Sequence, residues 1–153
     1  MSVSVVMGYL AYLLIGCVRG FTLVPSTSLV LLAIPIFPPL PLFVLTLAGI
    51  LVSSMSIYYF SESLHLNDVF EGKHAARVKK LKEIFQANSM IIIFTWSLFP
   101  LVPTDLICYV CGVLRIDFRK FIFAVVLGEG LICGFYIFLG SYVMKLIHAT
   151  NVP

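Results

Sequence analysis

Between Gly20 and Ser61 the chain carries no charged side chain, and a second uncharged run extends from Ile84 to Thr104. A helix that crosses a bilayer needs about 20 apolar residues, so runs of this kind commit a chain to a membrane. Neither run is clean. Pro25, Pro35, Pro38, Pro39 and Pro41 interrupt the first, and Pro100 and Pro103 interrupt the second. Backbone broken at membrane depth is tolerated only against protein or a water-filled cavity. The prolines therefore favour segments that enter the bilayer, turn, and leave by the side they came from. For the first run, two full helices joined by a proline turn near Phe37 is the alternative.

A composition of 61% hydrophobic and 11% charged residues lies far from that of soluble proteins. At 153 residues, the chain reads as a single all-α polytopic membrane domain. Residues 3–19 form a transmembrane helix. It is read as retained rather than as a cleaved signal, because no Lys or Arg precedes its apolar part. Gly16 and Gly20 on it offer a small-residue face for close packing. Residues 20–41 form a first re-entrant hairpin with Pro25, Ser26 and Thr27 at its tip. Its arms of about ten residues reach roughly 15 Å, half the hydrocarbon thickness. Residues 42–61 span the membrane, with Gly49, Ser53 and Ser56 on one face and Glu62 at the end. Residues 70–88 form an amphipathic helix on the membrane surface, with Val78, Leu81, Ile84 and Phe85 on its apolar side. A solvated charged linker is the alternative there. Residues 89–114 form a second hairpin, and residues 118–147 a last span with a kink expected near Glu129, between Gly128 and Gly130.

Lys73, Arg77, Lys79, Lys80 and Lys82 lie in the 63–88 loop, and Arg115, Arg119 and Lys120 form a second basic cluster. The positive-inside rule places both on the cytoplasmic side. Such a surface suits anionic lipid heads, so membrane lipids are the expected partners and nucleic acid is not. Self-association into a homo-oligomer stays open. Cys17, Cys108, Cys111 and Cys133 all lie in apolar runs and read as small buried side chains. Cys108 and Cys111 lack a second ligand pair, so no metal or other cofactor is expected. His65, His74 and His148 lie in loop or terminal positions away from Ser26, Ser28 and Thr104. Serine or metal hydrolysis would lack its base or its ligands, and an enzyme is not expected.

The two broken runs match one another. Phe21-Thr-Leu-Val-Pro25-Ser26-Thr27 answers Phe99-Pro-Leu-Val-Pro103-Thr104-Asp105. Gly49 follows Pro25 by 24 residues, and Gly128 follows Pro103 by 25. Each copy is a hairpin followed by a spanning helix. With the 63–88 loop in the cytoplasm, the copies enter from opposite faces, which makes an inverted repeat. Repeats of this kind place a polar site near the midplane, where broken helices meet.

These residues carry a resemblance. Arg19-Gly-Phe-Thr-Leu-Val-Pro-Ser-Thr-Ser-Leu, the stretch from Phe99 to Phe121, and Leu139-Gly-Ser-Tyr resemble the DedA superfamily, also called VTT-domain or SNARE-associated-Golgi-type membrane proteins. The resemblance implies two facing re-entrant hairpins and the transport or scrambling of phosphate-bearing lipids, either polyprenyl phosphates or phospholipids. A bacterial inner membrane is the expected location. Arg19 matches the arginine ahead of the first tip, Pro25 and Pro103 match the tips, and Gly112 and Arg115 match the exit of the second hairpin. The chain departs from the family pattern at Ser97, where an arginine is usual, at Glu62, where the middle span often ends in one, and at Gly128-Glu129-Gly130 in place of Pro-Gly.

Ionisable residues inside a membrane are costly and invite a functional reading. Arg19 can hold a lipid phosphate through its planar fork, or reach out to the interface. Asp105, Glu129 and Glu62 are candidate proton carriers. Asp105 alternatively caps the second arm. Ser26, Thr27, Thr104 and Arg115 complete the candidate lipid site, and the free N–H groups behind Pro25 and Pro103 suit an anion. The expected function is therefore a lipid transporter or scramblase, with a non-transporting envelope or secretion scaffold, or an ion or small-solute carrier, as alternatives.

Overall fold

The computed structural model describes residues 3–22, 24–64, 75–99 and 102–150. These form six helices and no strand: α1 (Val3–Thr22), α2 (Ser26–Ala33), α3 (Pro39–Ser63), α4 (Ala75–Ser97), α5 (Thr104–Val113) and α6 (Phe118–Thr150). Three stretches, Val5–Thr22, Pro39–Ser63 and Phe118–Ile147, are long and apolar enough to cross a membrane.

Local chemistry sets the boundaries. Proline lacks the N–H that a helix ladder needs and is tolerated where a helix starts. Accordingly α2 starts behind Pro25, α3 with Pro39 in its first turn, and α5 behind Pro103. Asp117 caps α6: its Oδ1 accepts the backbone N–H groups of Arg119 at 2.9 Å and Lys120 at 3.3 Å. At 8 and 10 residues, α2 and α5 are half-length helices. They reach about 12 and 15 Å, half of a bilayer core.

Contacts fix the directions. Gly8 meets Phe37, Gly16 meets Gly49, and Gly20 meets Ser53 and Ile57, so α1 and α3 run parallel. On the other side Met90 and Ile91 line a groove with Lys120, and Ser97 packs on Gly128, so α4 and α6 also run parallel. Between the pairs, Phe43 meets Gly134, Leu47 meets Gly130, and Tyr58 stacks on Phe121, so α3 and α6 are antiparallel. The short helices cross over. Ser26 of α2 lies beside Cys133 on α6, whereas Cys108 of α5 lies beside Ser54 on α3. Phe121, Leu42, Ile50, Ile57, Ile93 and Ile137 fill the seam they share.

The helices depart from the sequence reading in two places. α1 continues through Arg19 to Thr22, so the limb before Pro25 is the end of α1 and not a separate arm. The stretch read as an amphipathic helix and the first limb of the second hairpin meet at a kink at Asn88 (φ −130°, ψ 28°), where the sequence reading divides them, and α4 names the two segments together. Residues 70–74 of that reading, like Pro100, lie outside the described residues. α6 runs unbroken through Gly128, Glu129 and Gly130. A helical glycine costs about 1 kcal/mol against alanine, but here two of them admit neighbours. A Cβ on Gly128 would lie 2.6 Å from the Ser97 Cβ, and one on Gly130 3.1 Å from Leu47.

Candidate functional site

The parallel pairs and crossed short helices bring the ends of α1 and α2, the start of α5 and the middle of α6 together. Arg19 lies one turn short of the end of α1 and is only 5% exposed. Its Nη2 donates to Glu129 Oε2 at 3.0 Å, a contact between residues 110 apart in sequence. Its Nη1 donates to the Val24 carbonyl at 3.4 Å, an acceptor freed by the proline break. The interface-seeking alternative for Arg19 is thus not the arrangement found.

Two carboxylates share this interior. Glu129 and Asp105 are each 1% exposed, and Asp105 interacts electrostatically with both Arg19 and Glu129. Among the described residues, Glu129 Oε1 and Asp105 Oδ2 have no hydrogen-bond partner. Asp105 lies in the first turn of α5, whose N-cap, Pro103, makes no side-chain hydrogen bond to the helix.

Around the ion pair are three spaces. A groove of about 370 Å³ between α1 and α2 is lined by Leu14, Ile15, Val18, Val24 and Leu29, and Arg19 and Thr22 border it almost wholly through apolar atoms. Leu14, Ile15 and Val18 are more than half exposed, so this groove faces what would be lipid. Behind it, a water-sized void of about 10 Å³ is bounded by Arg19, Ser26, Thr46 and Gly49. Tyr12 closes that void: Thr46 donates to the Leu42 carbonyl at 2.7 Å, so the Tyr12 hydroxyl donates to Thr46 Oγ1 at 2.8 Å. A second void of about 10 Å³ lies where the proline breaks meet, lined by Pro25, Ser26, Thr27, Ser97 and Thr104 among others. Each is the size of one water.

A family model described as the VTT domain matches residues 24–142. The chain belongs to that family. It is the domain of the DedA and SNARE-associated Golgi proteins, and with the three apolar helices it makes the chain an integral membrane protein. Comparison with curated proteins and with solved structures returns no match.

In this VTT-domain chain, the structure gathers Arg19, Pro25, Ser26, Thr27, Thr104, Asp105 and Glu129, with Pro103 at the head of α5. Glu62 and Arg115 lie elsewhere. They face each other at 4.0 Å across the ends of α3 and α5, with side chains 37% and 50% exposed. Arg115 also has φ of 51°, the left-handed turn that ends α5. Sequence reasoning missed Tyr12 and Thr46, whose pairing depends on α1 and α3 running parallel. It noted Ser97 only as a lost cation, whereas Ser97 is 1% exposed and borders the meeting point of the breaks. His65 and His74 lie outside the described residues, and no His/Cys/Asp/Glu group that could hold a metal occurs among those described.

Proposed function

We propose that the chain moves phosphate-bearing lipids between the leaflets, as a transporter or scramblase. On this reading the limbs around Pro25 and Pro103 are re-entrant, dip in from opposite sides as an inverted repeat, and meet near the midplane. One observation carries it: Arg19 belongs at once to the lipid-facing groove and to the buried ion pair. Apolar tails remain against Leu14, Ile15 and Val18 while a headgroup reaches Arg19, whose guanidinium pairs phosphate oxygens in the geometry it now offers Glu129. Glu129 and phosphate then compete for one cation. Asp105 and Glu129 beside it are the candidate carriers of a coupled proton. No bond of the lipid is made or broken. The Lys and Arg residues of the 63–88 loop support a cytoplasmic loop in a bacterial-type plasma membrane.

The test is the flip rate of a fluorescent phosphate-bearing lipid in proteoliposomes. The reading requires a rate above empty vesicles, lost in Arg19→Gln and retained in Arg115→Gln. A wild-type rate equal to that of empty vesicles overturns it.

A further inference from the structure

At the opposite end of the size scale from the two water-sized voids, a groove of about 180 Å³ opens at the kink of α4. Residues 86–91 line it from α4, and Lys120 lines it from α6. Its two ends differ. One carries the side-chain amides of Gln86 and Asn88, the Ser89 hydroxyl and the Lys120 ammonium; the other carries Met90 and Ile91, both exposed. Lys120 is the third residue of the span Phe118–Ile147, and Met90 and Ile91 begin the apolar limb of α4. The groove therefore lies at the depth where headgroups give way to hydrocarbon.

The surroundings are basic. Of the described side chains on the surface segment of α4 and the first turn of α6, Lys79, Lys80, Lys82, Arg119 and Lys120 are positive, against Glu83 and Asp117. Lys79, Lys82 and Gln86 fall at i, i+3 and i+7, so one helical stripe of cations leads to the groove. Lys82 stands four residues, about 6 Å of helix, from Gln86, within a Debye length at physiological salt. Asp117 Oδ1 already accepts the backbone N–H groups of Arg119 and Lys120. Among the described residues, Lys120 makes no ion pair.

We infer that this groove holds the head of one anionic phospholipid, a phosphate joined to an uncharged polyol. The site is separate from Arg19 and does not depend on the transport reading. Lys120 takes the phosphate as a compact charge with three donors, while the amides and the hydroxyl, which both donate and accept, take the polyol. A choline or ethanolamine head carries its own cation into a basic rim and is disfavoured there. The occupant is a lipid and not a free phosphate ester, because Met90 and Ile91 continue the groove as an exposed apolar surface on which an acyl chain lies.

The test is a titration of the purified full chain in detergent by native mass spectrometry, with dioctanoyl phosphatidylglycerol, dioctanoyl phosphatidylcholine and glycerol 3-phosphate as probes. Phosphatidylglycerol should bind about fivefold or more tightly than phosphatidylcholine, and the difference should shrink as salt is raised. Lys120→Gln and Gln86→Glu should each remove one bound phosphatidylglycerol. Both side chains are exposed, so neither change disturbs the core. Arg119→Gln, beside the groove but not lining it, and Lys145→Gln, near the far end of α6, remove the same charge and should retain that lipid. Equal affinity for the two lipids overturns the inference. So does an equal loss from Arg119→Gln, which would mark a diffuse basic surface, or glycerol 3-phosphate binding as tightly as the lipid. Flip rates are read in a separate assay, so the transport reading and this site can each fail alone.

Discussion

The two proline breaks occupy equivalent places in the chain and hold opposite chemistry. Ahead of Pro25 the position six residues upstream is Arg19; ahead of Pro103 it is Ser97. Both side chains are buried, at 5% and 1% exposure. Arg19 has a carboxylate partner, whereas the Ser97 hydroxyl has none among the described residues. The partner comes from the other half: Glu129 lies on α6, and the residue that stands next to Gly49 as Glu129 stands next to Gly128 is Ile50, part of the apolar core. The two breaks share their letters and their spacing, and the charge stands at one of them: the Arg19–Glu129 pair ties the end of α1 to the middle of α6.

The sharpest way to break this comparison is to remove one side of the pair. Glu129→Leu strands a buried guanidinium and should cost about 3–5 kcal/mol in a chemical unfolding titration in detergent. Arg19→Met combined with Glu129→Leu should recover most of that loss while abolishing flip. A double variant no more stable than Glu129→Leu alone would show that the cost came from packing.

A smaller effect separates the two helix crossings. On Gly128 an added Cβ would meet the Ser97 Cβ at 2.6 Å and the Phe94 carbonyl at 3.1 Å; on Gly16 it would meet the Gly49 Cα at an ordinary 3.6 Å. Gly128→Ala should therefore destabilise by about 1–3 kcal/mol, and Gly16→Ala by less than about 1 kcal/mol. Equal midpoints for the two variants would contradict the tighter packing of α4 on α6.

Next in size is Tyr12→Phe, which deletes the hydrogen bond to Thr46 behind Arg19 and should cost about 1 kcal/mol. Ser97→Ala, at the equivalent of Arg19, removes an unpaired hydroxyl and should leave the unfolding midpoint unchanged or raised. Smallest of all is Glu62→Gln, since the Glu62–Arg115 pair is solvent-exposed and should contribute less than about 1 kcal/mol, vanishing at high salt.

Much of this plan is legible in the sequence because its causes are local. Proline cannot continue a helix wherever it stands, so the breaks at Pro25 and Pro103 follow from the letters alone. The spacing from each break to Gly49 and Gly128 likewise marks where each long helix crosses its neighbour. What the letters do not carry is partnership at long range. Nothing near Arg19 points to Glu129, because the contact exists only once α2 has crossed onto α6. For the same reason Glu62 and Arg115, equally charged and equally close to apolar runs, look as functional as Arg19 until the fold leaves them on the outside. The join between the surface stretch and the membrane limb of α4 is local in the same way as the proline breaks: Asn88 is a poor helix former, and the two helical segments meet there at a kink.

The crossing of the short helices has one more consequence. Ser26 lies beside Cys133 of the far half and Cys108 beside Ser54 of the near half. Each half lends its stub to complete the wall of the other. A tilt of either stub must then be felt by the opposite long helix, so the molecule behaves as a pair of clasped hands, with no joint at which one can loosen while the other keeps its grip.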